Sequence, residues 1–277
     1  MMLFETCAHM QQCSAEWELA GESVALVPTM GALHEGHMAL VEKAKDVARH
    51  VVVSIFVNPL QFGLNEDLDA YPRMLERDQA MCLKAGVDVI FAPSVGEMYP
   101  NGFSTSLHIA DITESLCGAS RPGHFDGAAT VVYLLMQQVM PHCCLFGEKD
   151  WQQLAVMRRM VADLMIPVEL IGVPTIRESD GLALSSRNHY LSEAEREKAP
   201  VLYKTLCVTR DAMASGETPA HALEEGKALL EKAGFTVDYF IYADGVTLKP
   251  LHHPQPNGRL FVAAKLGTTR LIDNLAA

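Results

Sequence analysis

Two histidines stand three residues apart in His34-Glu35-Gly36-His37, where the apolar run Val24-Ala-Leu-Val-Pro28 gives way through Gly31 to an amphipathic stretch. On a first helical turn that spacing aims both rings the same way. The unpaired N–H groups and positive partial charge of a helix N-terminus make an anion the natural guest there. Gly36 has no Cβ, which would let a flat ring or a phosphate approach the backbone. The chemistry indicated is nucleotide-phosphate binding. A zinc pair is one alternative, but the His-Glu-x-x-His spacing is absent and no third ligand is obvious. Two surface histidines are the other.

Further candidates lie in other loops. Gly147-Glu148-Lys149-Asp150 puts a glycine and a lysine at a strand-to-helix junction. Lys149 suits phosphate as a compact charge, and Asp150 suits an N-cap or a ribose; an ordinary capped turn is the plainer reading. Ser185-Ser186-Arg187 offers two hydroxyls, successive N–H groups and a guanidinium, as a mobile anion clamp or as a solvated interdomain loop. Arg121-Pro122-Gly123-His124-Phe125 is similar in type and weaker. Gln61 and Gln153 are neutral amides that suit the hydroxyls and carboxylate of a small substrate, or else are surface or capping residues. There is no Walker-type phosphate loop, no G-x-G-x-x-G after the first strand and no G-x-S-x-G.

These loops need a sheet behind them. Val24 to Pro28, Val51 to Val57, Asp88 to Ala92, Cys143 to Phe146 and Val168 to Val173 read as strands, with Phe103 to Ile109 as a more peripheral one. Residues 36 to 49, Arg73 to Ala85, Ala128 to Met140 and Asp150 to Met165 read as helices. The alternation predicts an α/β, doubly wound parallel sheet, and the near-continuous apolar strands predict burial on both faces. The tetrads Pro28-Thr29-Met30-Gly31, Asn58-Pro59-Leu60-Gln61, Gly147 to Asp150 and Pro174-Thr175-Ile176-Arg177 all follow strands. Ligands of open parallel sheets bind at the carboxyl ends of strands, so these loops can converge on one pocket.

After Pro174 the pattern changes. Residues 176 to 191 are polar, and Ser192-x-x-Glu195 is a capping box opening a helix to about Ala214. Thr218-Pro219 opens a second helix that stops at Gly234. Thr236 to Tyr242, Arg259 to Lys265 and Thr269 to Asp273 follow as strands. This predicts a second, smaller α+β C-terminal domain, and we divide the chain into residues 1–177 and 178–277.

The 277 residues carry a formal net charge of −12, which argues against a nucleic-acid or anionic-membrane partner. Apolar residues at 49% and charged residues at 20% exclude wholesale disorder. No apolar run approaches membrane-helix length. The first Lys or Arg is Lys43, so a secretory signal is not expected. Seven cysteines without C-x-x-C predict free thiols, with Cys143 and Cys144 buried, in a soluble cytoplasmic protein.

The ordered motifs carry a resemblance. Pro28-Thr-Met-Gly-Ala-Leu-His-Glu-Gly-His37 is similar to the HIGH-type signature of the adenylate-forming nucleotidyltransferase superfamily. Ser54 to Phe62, Phe91-Ala-Pro93, Tyr99-Pro100, Arg121 to Phe125, Phe146 to Asp150, Gln152-Gln-Leu154, Asp180 to Asn188 and Arg270 to Asn274 match, in order, the pantoate–β-alanine ligase (pantothenate synthetase) family. The likeness runs from about residue 22 to 274. Leu184 and Leu60 stand where some members have other residues, with apolar volume kept at both. Cys7 to Gly21 matches poorly, and nothing is carried over from it.

The resemblance implies ATP-dependent ligation of pantoate and β-alanine, through a pantoyl adenylate, to pantothenate, a coenzyme A precursor, with release of AMP and pyrophosphate. It implies an ATP site of Met30, Gly31, Ala32, Leu33, His34, Glu35, Gly36, His37, Gly147, Glu148, Lys149, Asp150, Ile176, Leu184, Ser185, Ser186 and Arg187. His37 is implied as proton donor, with His34, Lys149, Ser185, Ser186 and Arg187 as the other catalytic groups. Gln61 is implied to hold pantoate and to border β-alanine, and Gln153 to hold pantoate. The sequence does not fix the group that deprotonates the β-alanine ammonium; His34 and His124 are two histidines within reach of that role. The family uses Mg²⁺, for which no side-chain ligand is assigned, and is a cytoplasmic homodimer. Its smaller domain closes over a Rossmann-like one. The alternatives are another nucleotidyltransferase of the superfamily and a non-catalytic nucleotide sensor.

Physically, a carboxylate needs no strong base at neutral pH. It needs alignment and positive charge at the α-phosphate, so local cations must override the net charge. The reactive anhydride must be kept from water, which motivates a closing domain.

Overall fold

A computed structural model describes residues 1–63, 68–69 and 71–277. The first layer contains β1 (Met2–Phe4), α1 (Cys7–Leu19), β2 (Val24–Thr29), α2 (Glu35–Val47), β3 (His50–Ile55), α3 (Leu75–Ala85) and β4 (Val89–Phe91). It continues through the short helices α4 (Val95–Met98) and α5 (Cys117–Ser120), then α6 (His124–Val139), β5 (Cys143–Gly147), α7 (Trp151–Asp163) and β6 (Glu169–Val173). The strands form a six-stranded sheet in the order β1-β4-β3-β2-β5-β6. Every pairing in it is parallel.

From β2 the chain winds outward through β3 to β4, then returns to place β5 on the other side of β2. The strand order therefore reverses between β2 and β5. A crevice opens at such a point, where neighbouring crossover loops leave in opposite directions. Two apolar clusters fill the opposite faces, one around Leu26, Val52, Phe91 and Cys144, the other around Val27, Val53, Ile90 and Leu145. This is the two-sided burial that the apolar strands require.

The C-terminal layer contains α8 (Glu193–Lys198), α9 (Val201–Ala214), α10 (Pro219–Lys232), β7 (Phe235–Asp244), β8 (Gly258–Leu266) and β9 (Thr269–Ala276). Its sheet is antiparallel in the order β7-β8-β9. It has its own apolar cluster, around Leu202, Leu206, Leu230 and Leu260. Ala243, Leu248 and Phe261 pack instead with the first layer's core. Trp151, at the start of α7, crosses the seam: its Nε1 donates to the Gly245 carbonyl at 2.7 Å, and the Arg259 guanidinium lies 3.4 Å from its ring centroid.

Several elements differ from expectation. Residues 103–109 form no strand, although Leu107 still packs against the core. The helix expected from Ser192 to Ala214 is two helices. The Ser192–Glu195 capping box opens α8 as foreseen, but Pro200 lacks an N–H and crowds the preceding turn, so α9 starts afresh. Asp150 starts no helix by side-chain capping; residues Glu148–Asp150 form a 3-10 turn leading into α7. The first strand and first helix have little apolar pattern to mark them: β1 is a three-residue edge strand, and α1 buries only Met10 and Ser14. All seven cysteines are free, and Cys143 and Cys144 are buried. Among the described residues no helix is long and apolar enough to cross a membrane.

Candidate active site

The loop after β2 turns sharply before entering α2. Gly31 has φ 84° and Ala32 φ 51°, both left-handed. A buried carboxylate on α3 holds this turn: Asp78 Oδ2 accepts from Ala32 N–H at 2.9 Å, and Oδ1 from Leu33 N–H at 2.8 Å. Thr29 Oγ1 accepts from Gly31 N–H at 3.1 Å and donates to the Ser54 carbonyl at 2.7 Å.

His34 is the N-cap of α2. Its Nδ1 accepts from Gly36 N–H at 3.1 Å, while His37 Nδ1 accepts from His34 N–H at 3.3 Å. The two rings lie 4.2 Å apart. A Cβ on Gly36 would meet the His34 ring at 2.8 Å, so a side chain here would displace the curled imidazole. Burial, reinforced by Lys149, lowers the His34 pKa to about 4. Burial, then the neighbouring His34, lowers that of His37 to about 3. Both rings are therefore neutral at pH 7. With Nδ1 committed as acceptor, the proton of each sits on Nε2. Each ring thus offers one N–H, on Nε2, as a neutral hydrogen-bond donor.

Across the switch point, β5 delivers Gly147 to Asp150. The Lys149 ammonium lies 3.7 Å from Asp150 Oδ1. A cleft with a volume of about 240 Å³ has on its walls Met30, His34, Gly36, His37, Gln61, Gly147, Lys149, Asp150, Gln153, Ile176, Leu184, Ser185, Ser186 and Arg187. Residues 177–190 fold over it as an irregular segment. An isolated Arg177–Ala183 bridge and a 3-10 turn over Ser186–Tyr190 shape it, and Ser185 Oγ accepts from Arg187 N–H at 3.3 Å. Gly31, Ala32, Leu33, Glu35 and Glu148 lie outside the lining. Leu33 points into the core, at 1% exposure. A larger hollow of about 850 Å³ toward α5 and the C-terminal sheet shares Arg121, His124, Lys149, Asp150 and Gln153 with the cleft.

Gln61 is buried in a network of its own. Asn58 Nδ2 donates to Gln61 Oε1 and to the Gly127 carbonyl, both at 3.0 Å, and Tyr99 O–H donates to Asn58 Oδ1 at 2.7 Å. His124 Nδ1 lies 2.8 Å from the Gln61 carbonyl, and its Nε2 lies 2.9 Å from Arg121. Both ring nitrogens are thus engaged in this arrangement. Asp78, Asn58 and Tyr99 are supports to which sequence reasoning gave no role. Asn58 had a signal, as a polar residue ending a strand beside Gln61. Asp78 had none, since an aspartate in a first helical turn reads as a partner of the helix dipole.

Asp150 is the one carboxylate lining this cleft among the described residues. The one cluster of metal-ligand type among them, Glu217, His221 and Glu225, is on and beside α10, away from the cleft lining.

A family model described as pantoate-beta-alanine ligase matches residues 2–276. A pantothenate synthetase of Marinobacter nauticus is 55% identical over 259 residues, covering 92% of each chain. One of Dinoroseobacter shibae is 51% identical and covers 97% of this chain and 96% of its own. The crystal structure of pantothenate synthetase from Thermus thermophilus superposes with a TM-score of 0.95 at 49% identity, covering 100% of this chain and 99% of its own. That of pantoate-beta-alanine ligase from Francisella tularensis, complexed with Beta-gamma ATP and Beta-alanine, gives 0.84 at 34% identity, covering 100% and 97%.

Proposed function

Because the chain belongs to the pantoate–β-alanine ligase family, we propose that the cleft between β2 and β5 carries out both halves of that family's ATP-dependent ligation. The pantoate carboxylate attacks the α-phosphorus of ATP, the bond to pyrophosphate breaks, and a pantoyl adenylate remains. The amine of β-alanine then attacks the acyl carbon, loses a proton, and expels AMP to leave pantothenate. Another nucleotidyltransferase chemistry would retain the nucleotide in its product; here AMP leaves free.

One observation carries the assignment of residues. Loops far apart in the chain place two neutral imidazole donors, the Lys149 ammonium and the Ser185-Ser186-Arg187 segment around one cleft at the strand-order reversal. His34 and His37 hydrogen-bond phosphate oxygens as neutral donors. Lys149 and Arg187 supply positive charge where negative charge grows in the transition state. Gln61 and Gln153 hold pantoate, with β-alanine next to Gln61. Asp150 fits an ion that arrives with the nucleotide, because Mg²⁺ commonly needs only one or two carboxylates beside the phosphates. Mg²⁺, when bound, would offset phosphate charge.

The reading extends to a cytoplasmic homodimer and to a functional division at residues 177 and 178, with the C-terminal layer closing over the adenylate to exclude water. Incubation with ATP and pantoate alone should release pyrophosphate to one equivalent of enzyme. Adding β-alanine should give AMP and pantothenate in step. Folded protein that releases no pyrophosphate overturns the reading. Sedimentation at twice the chain mass would support the dimer.

A further inference from the structure

The loop that carries Lys149 is held from outside its own layer. Asn274, in β9 and only 4% exposed, donates both hydrogens of its Nδ2: one to the Glu148 carbonyl at 2.8 Å, the other to the Lys149 carbonyl at 2.9 Å. These carbonyls belong to the 3-10 turn before α7, and that helix has no side-chain cap of its own. Asn274 is fixed in turn. Arg259, stacked on Trp151, donates to its Oδ1. Asp273 Oδ1 accepts from Asn274 N–H at 2.8 Å, while the same carboxylate takes a two-pronged ion pair from Arg177 at 2.6 and 2.9 Å. The amide therefore has one orientation and every polar atom satisfied.

We propose that Asn274 is a positioning residue for adenylation: it sets the height and direction of the Lys149 backbone, so the last strand of the C-terminal sheet builds part of the first chemical step. The proposal rests on the reading that Lys149 meets the phosphates of ATP. It adds that the C-terminal layer, besides covering the cleft, shapes the pocket floor. Backbone displacement of about 1 Å at such a loop lowers a rate by up to about a hundredfold, because the ammonium must meet charge only where it develops.

Asn274→Asp provides the test. It keeps the side-chain size and the acceptor for Arg259, but faces the two carbonyls with an oxygen. Pyrophosphate release from ATP and pantoate should slow by about ten- to a hundredfold. Conversion of preformed pantoyl adenylate with β-alanine should stay within about twofold. Combined with Lys149→Ala, the substitution should add little, since its effect passes through the absent ammonium. Full adenylation in folded Asn274→Asp, against loss in Lys149→Ala, overturns the proposal and leaves the Lys149 reading standing. Full adenylation in Lys149→Ala overturns that reading. Equal slowing of both steps, or full additivity in the double variant, reduces Asn274 to a structural role and also overturns the proposal. Should Asn274→Asp fail to fold, Asn274→Ser, which keeps one donor, is read the same way.

Discussion

Asp78 and Leu33, forty-five residues apart, are joined by a 2.8 Å hydrogen bond in which the buried carboxylate accepts the backbone N–H of the loop leading into α2. The second carboxylate oxygen takes the N–H of Ala32, which like Gly31 is in left-handed conformation. A carboxylate at 0% exposure is thus committed to two amides rather than to solvent. Asp78→Ala should cost about 1–3 kcal/mol of stability, because a buried and a partly buried N–H group lose their acceptor. Asp78→Asn should cost less, since one acceptor remains. Both should weaken ATP more than pantoate. Urea unfolding and separate KM measurements check this.

The two imidazoles give the molecule an acid limit. In the unfolded chain each takes up a proton near its ordinary pKa of 6.5, whereas the folded protein resists until about 4 for His34 and about 3 for His37. Between those values the unfolded state binds more protons, so stability is intact above pH 6.5 and falls as pH drops through the window. His37 alone should contribute a loss of about 1–2 kcal/mol between pH 7 and 5. Urea titrations at the two pH values should show a smaller difference in His37→Gln.

Lys149→Ala should slow adenylation by about 10²- to 10³-fold, the usual loss when one donor to a developing anion is removed. Its ammonium is paired only loosely, with Asp150 at 3.7 Å, so folding stability should change far less than the adenylation rate. Single-turnover pyrophosphate release and a thermal melt separate the two.

The glutamines should differ from each other. Gln153→Ala should weaken pantoate by roughly 1–3 kcal/mol with ATP affinity unchanged, as expected when a polar partner is lost. Gln61→Ala should do the same and also lower stability, because Asn58 Nδ2 loses the oxygen it meets at 3.0 Å. Equal melting temperatures for the two variants would contradict the network built on Tyr99 and Asn58.

The doubly wound sheet was legible because β2, β3, β5 and β6 are apolar runs that stop at Gly, Pro or Asn, and their loops hold the polar tetrads. Gly31, the paired histidines and Lys149 were legible by type and place. What was hidden depended on distance in the chain. Nothing around Asp78 says that its oxygens reach residues 32 and 33, and nothing around Asn274 says that its amide reaches residues 148 and 149. The charge state of His37 was also hidden, since a sequence shows a basic residue but not the crowding that keeps it neutral. The edge strand β1 and the weakly buried α1 escaped because so few of their side chains reach the core.

The sequence holds two tryptophans, and their settings differ. Trp17 is stacked on His50 with ring centres 4.2 Å apart, whereas Trp151 is wedged at the seam between Arg259 and the Gly245 carbonyl. Any rearrangement of the C-terminal sheet against α7 must change the polarity around the Trp151 indole. The protein thus carries an intrinsic fluorophore at the joint, and the wavelength of its emission, followed in a stopped-flow instrument after mixing with ATP, would time that rearrangement without a label.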